Sequence, residues 1–87
     1  MEKLFLPVIV AADYEAFRGF MKDEIPATFD EWLRRHHKCV SYWRAERCVV
    51  DVDVNPDEFR RFCLAEARGH NANALCVFAD RVGKAKP

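Results

Sequence analysis

The stretch Arg34-Arg35-His36-His37-Lys38-Cys39 sets two imidazoles, three cations and a thiol side by side. Residues of these types can bind zinc, activate a thiolate or hold phosphate, so the first question is which of them share a face. Apolar residues at Phe29, Trp32, Leu33, His36, Cys39, Val40 and Trp43 follow helical spacing and form one stripe with His36 at its centre. On such a helix neighbouring side chains diverge by about 100°. His36 and Cys39 therefore point inward, His37 lies at the stripe's edge, and Arg34 and Lys38 project from the other side.

His36 and Cys39 are two candidate zinc ligands, to be completed by Cys48, Cys63, Cys76 or His70. Structural zinc sites usually carry paired ligands such as C-x-x-C, and successive cysteine spacings of 9, 15 and 13 contain no such pair. A thiol nucleophile at Cys39 with His36 as base needs an exposed, electropositive setting, which an aromatic stripe does not offer. The expectation is a hydrogen-bonded core histidine and largely buried, reduced thiols, with no metal and no cofactor. The metal or thiol site around His36 and Cys39 is kept as an alternative.

Asp51 and Asp53 fall on one side of a strand about 7 Å apart, a separation at which carboxylates can do acid and base work. Strict alternation with Val50, Val52 and Val54 is also what a half-buried strand with a charged side shows. The latter is the expected role. Arg34, Arg35 and Lys38, with Tyr42 nearby, form a basic helix face that could track a phosphate backbone. Asp30, Glu31 and Glu46 interrupt that face, so nucleic-acid binding through it is the alternative and a solvated surface the default. No phosphate-binding glycine loop or nucleophile elbow occurs, and the three glycines (Gly19, Gly69, Gly83) are dispersed.

The elements that must position these residues are legible from period and punctuation. Leu4 to Val10 and Val49 to Val54 read as strands. Asp13 is a candidate cap for a helix carrying Tyr14, Phe17 and Met21. Thr28 with Glu31 forms a capping box, Asn55 followed by Pro56 opens a third helix, and "NANAL" opens a fourth with Leu75, Phe78, Ala79 and Val82 on one stripe. Gly69 reads as a helix stop. The second helix passes into the second strand near Glu46. A shift of 42 residues superposes F-R-x-F at 17–20 on F-R-x-F at 59–62, which suggests a pseudo-repeat of 4–46 and 47–83.

The expected fold is α+β: one domain over 1–87, order β-α-α-β-α-α, with a two-stranded sheet packed against four helices. The face bearing Leu4, Leu6, Val8, Val10, Val50, Val52 and Val54 is expected to meet the helices, and strand direction is left open. Phe5 and Ile9 then fall on the far side, opposite acidic residues of the second strand. Something must cover them, and a second copy would do so in a homodimer.

Fourteen basic and fourteen acidic residues balance in a chain that is 51% hydrophobic, the composition of a folded domain without a general attraction to polyanions. No apolar run approaches the roughly 20 residues of a membrane span, and no leader pattern is evident, so a cytoplasmic chain is expected. The functional expectation is a small non-enzymatic protein-interaction or regulatory module, self-associating, with Phe5 and Ile9 as the candidate dimer interface.

Overall fold

The computed structural model describes residues 2–85. Strand β1 (Lys3–Val8) leads through a 3-10 turn (Ala11–Asp13) into α1 (Tyr14–Met21), and a second such turn (Lys22–Glu24) precedes α2 (Phe29–Arg44). Strand β2 (Cys48–Asp53), α3 (Pro56–Ala65) and α4 (Ala72–Ala85) complete the β-α-α-β-α-α order. Helix α2 ends two residues before Glu46 and β2 starts two after it, where the sequence places the boundary. The strands are parallel, Lys3 beside Cys48 through Val8 beside Asp53. Helices α1 and α2 form the long crossover that parallel pairing requires.

Local capping chemistry fixes three of the four helix starts. The Glu31 N–H donates to Thr28 Oγ1 at 3.2 Å and the Glu58 N–H to Asn55 Oδ1 at 3.0 Å. The Ala74 N–H donates to Asn71 Oδ1 at 2.8 Å, and Glu24 reaches across to accept the Ala72 N–H at 3.0 Å. Bonds of this kind are worth about 1 kcal/mol each. Asp13 makes no such bond, because the chain is already turning through the preceding 3-10 segment.

That segment also relates the halves. The strands pair at an offset of 45 residues, Lys3 with Cys48, whereas α1 and α3 begin 42 apart, at Tyr14 and Pro56. The three residues Ala11–Asp13 take up the difference.

Gly69 is not the stop of α3. The turn falls two residues earlier, at Ala67, whose φ of 53° lies in the left-handed region. The Arg68 N–H donates to the Cys63 carbonyl at 2.8 Å and the Ala67 N–H to that of Leu64 at 3.3 Å, the pair of bonds that closes a Schellman turn. A left-handed alanine carries about 1–2 kcal/mol of strain, while glycine adds about 0.4–1 kcal/mol of unfolded-state freedom. Relief of strain outweighs the added freedom, so Ala67→Gly should raise stability by about 0.5–1 kcal/mol in a urea titration.

Register corrects the expected sheet faces. Partners across a parallel ladder point to the same side, so Phe5 joins Val50 and Pro7 joins Val52, while Leu4, Leu6 and Val8 join Val49, Asp51 and Asp53. Leu4, Leu6 and Val8 do not share a face with Val50 and Val52. Helices cover both sides. The Phe5 side meets α4, where Gly83 leaves room for the Phe5 ring: a Cβ at Gly83 would lie 2.6 Å from Phe5 Cγ. The opposite side meets α2, where His36 approaches Asp51.

Ile9 is 1% exposed and belongs to the main core with Val52, Val54, Phe17 and Phe59, and Phe5 packs against that core. Neither residue needs a second copy to cover it. Val10, assigned to the core by alternation, is 41% exposed. The reason is that β1 is apolar on both sides, so alternation along it could not select the buried one.

Pro7 interrupts nothing. Cys48 N–H donates to the Glu2 carbonyl at 3.0 Å and Val54 N–H to that of Val8 at 3.1 Å, so even-numbered residues of both strands face each other. Pro7 therefore lies where an N–H would point away from β2, and its absence removes no bond of the ladder.

Candidate functional site

Helix α2 presents the 34–39 stretch as its period predicts. The His36 ring stacks on Trp32, with centroids 5.1 Å apart and planes at 11°, and its side chain is 10% exposed. Its Nε2 lies 3.3 Å from Asp51 Oδ1 without forming a hydrogen bond, so the ring is covered as expected but its buried nitrogen lacks the expected hydrogen-bond partner among the described residues. His37, Arg34 and Lys38 are exposed. Arg35 lies 3.4 Å from Glu31 one turn earlier on the same helix, a surface pair of little energetic weight.

The thiols are not largely buried as the sequence suggested, since only Cys63 is; they divide by which side of their element faces the core. Cys63 is 1% exposed and its Sγ–H donates to the Gly69 carbonyl at 3.7 Å, while Cys48 and Cys76 are exposed. Cys39 and Cys76 line one cleft of about 240 Å³ with Leu6, Trp32, His36 and Leu75. Among the described residues no group of three or more His, Cys, Asp and Glu is placed to hold a metal ion.

Burial pushes the Cys63 and Tyr14 protons up from their ordinary values of 9.0 and 10.0, opposed by Arg68 and Arg18 respectively. Tyr14 is 2% exposed and its hydroxyl donates to the Pro26 carbonyl, a bond that only the protonated form can make. The unfolded chain therefore releases these protons first as pH rises. Their contribution to stability is intact below pH 9 and is lost progressively above it. Urea midpoints should hold level from neutral pH to about 9 and then fall, with Tyr14→Phe flattening the part of the decline above pH 10.

The sequence marks Arg60, Arg61 and Arg68 as basic surface residues of the third helix, but sequence reasoning passed over the stripe that the first two form with Leu64. Asp57, Arg60, Arg61 and Leu64 recur at three- and four-residue intervals opposite the buried Phe59 and Cys63, and with His70 they line a shallow groove of about 500 Å³. Leu64 is 84% exposed. Arg60 lies over the Phe20 ring at 5.4 Å, and His70 packs on the same ring at 5.2 Å, which fixes both beside the groove. Among the described residues neither Arg60 nor Arg61 has a carboxylate within ion-pair distance, whereas Arg35, Arg47, Arg68 and Arg81 each have one. Arg18, in the place of Arg60 in the first F-R-x-F, instead donates to the carbonyls of Lys22 and Ile25 and holds the turn after α1.

A helical projection of 56–65 would have found this stripe. The signal is a leucine among arginines on the side away from Phe59 and Cys63. No helix among the described residues is long and apolar enough to cross a membrane. Comparison with known protein families, with curated proteins and with solved structures finds no match for this chain.

Proposed function

We propose that this chain is a non-enzymatic interaction module of the cytoplasm that docks an acidic, partly apolar segment of another protein on the outer face of α3. The observation that carries the reading is Leu64: a large apolar side chain, 84% exposed, set between two arginines that have no carboxylate partner among the described residues, on a helix whose other face is packed. Isolated exposed leucines are ordinary on protein surfaces. This one lies in a groove beside Arg61 and an Arg60 held over the Phe20 ring, an arrangement suited to an apolar anchor flanked by carboxylates.

The same feature favours protein over nucleic acid. A phosphate backbone would use Arg60 and Arg61 but would gain nothing from Leu64 and would be repelled by Asp57 on the same stripe. Arg34, Arg35 and Lys38, on α2, are not part of this groove.

A photo-cross-linking side chain at Leu64 in the native cell tests the proposal, with one at the exposed Tyr42 as control. Adducts at Leu64 should be with an acidic protein segment and should disappear when Arg60 and Arg61 are both changed to Glu. Identical adducts from both positions, or adducts that survive the double charge reversal, would overturn it. Adducts to nucleic acid at Leu64, with an affinity falling steeply with salt, would overturn it in favour of a nucleic-acid contact on α3.

A further inference from the structure

We propose that the outer edge of β2 pairs antiparallel with the same edge of a second copy, joining two two-stranded sheets into one of four. The parity that directs even-numbered residues of β2 toward β1 leaves the N–H and C=O groups of Val49, Asp51 and Asp53 pointing away from the sheet. Asp51 and Asp53 are exposed, and Val49 and Val50 are half-buried. The other edge differs. Pro7 faces outward on β1 and offers no N–H there. A chain with one pairable edge forms a closed pair, not an extending ribbon.

Charge selects the register. A twofold axis at Asp51 would place the Asp51 carboxylates of the two copies directly opposite each other, an unfavourable pair. An axis at Val50 uses the whole of β2. It sets Val50 against Val50, Val49 against Asp51, and Arg47 of each copy against Asp53 of the other. Val50 borders a recess of about 310 Å³ formed with Phe5, Val52 and Gly83, so the apolar centre of the seam lies on that side. Arg47 now lies over the Trp43 ring at 5.4 Å and pairs with Glu2 at 3.6 Å, a carboxylate that is itself 82% exposed, so turning toward Asp53 exchanges these contacts for a pair across the seam. This occupant does not involve Phe5 and Ile9 as a seam, and it is separate from the α3 groove, so the failure of either proposal leaves the other standing.

Sedimentation of the full chain at micromolar to hundreds of micromolar concentration supplies the test. The wild type should be a dimer, and amide exchange should show protection of Val49, Asp51 and Asp53 that is lost on dilution. Val49→Pro removes an outward N–H without touching the β1 ladder, by the same parity that accommodates Pro7, and should give a folded monomer. Arg47→Asp should weaken the dimer by about tenfold, and adding Asp53→Arg should restore it. A wild type that remains monomeric throughout would overturn the proposal, as would a dimer whose affinity Val49→Pro leaves unchanged. Should Val49→Pro fail to fold, the Arg47 and Asp53 exchange decides alone: an additive loss, with no restoration, places the seam elsewhere. Leu64→Asp should leave the dimer unaffected.

Discussion

Ile9→Lys is expected to unfold the chain at room temperature, whereas Val10→Lys, one residue along, should leave it folded. Ile9 is 1% exposed and sits in the cluster formed with Val54, Phe17 and Phe59. No acidic residue belongs to that cluster. An ammonium placed there loses its hydration without an ion-pair partner, at a cost of several kcal/mol, against a total stability of about 5–15 kcal/mol for a domain. Val10 already shows 41% of its surface to water, where a lysine stem can lie along the protein with its charge outside. Circular dichroism melts of the two variants check the strand phase directly. If Ile9→Lys retained its helices and Val10→Lys lost them, the phase read from the sequence would be the correct one.

The second large effect is Phe59→Ala, which should lower stability by about 3–5 kcal/mol and the melting temperature by tens of degrees. Phe59 is fully buried, and its ring centroid lies 6.1 Å from both Phe17 and Phe20 and 5.7 Å from Phe78. It is the point where α1, α3 and α4 meet, so the cavity cannot close without moving a helix. Phe62, at the end of the same F-R-x-F, is only partly buried, with its ring beside Phe78 at 5.2 Å and near Arg81 at 5.2 Å. Phe62→Ala should therefore cost clearly less. Equal losses at the two positions, measured by urea titration, would mean that the centre of the core lies nearer α4 than Phe59.

What was legible in the sequence follows the range of the interactions that decide it. Thr28 and Asn55 cap their helices because the oxygen and the N–H it serves are three residues apart, so the signal lies in the same short stretch as the structure. The element order and the mixed α+β class followed from the same kind of evidence. The inward place of His36 was readable from helical period, since α2 has only one apolar side.

Strand β1 has two apolar sides, and its phase is set by α4 packing on Phe5, a contact across 78 residues that no local pattern carries. The end of α3 was misplaced for a related reason: glycine is the favoured left-handed residue, but alanine occupies that position when the fold requires the turn there. The α3 groove was missed because Arg60 and Arg61 were grouped with Arg68 as basic surface residues of the third helix and not with Leu64. What distinguishes them from the other surface cations is their common side with Leu64 in one groove.

The 45-residue separation of the paired strands bears on how the chain reaches its native state. Every bond of the ladder joins the first residues of the chain to ones that lie past its midpoint. During synthesis β1 leaves the ribosome 45 residues ahead of β2, and α1 and α2 can form meanwhile but cannot by themselves bury its two apolar sides. Pairing must therefore await a late, non-local encounter, which places this small protein among slower folders than its helix content alone implies. Until then Leu4, Phe5, Leu6, Val8 and Ile9 form an exposed apolar segment. Pro7, at its centre, is the residue that makes the waiting strand a poor template for the wrong partner.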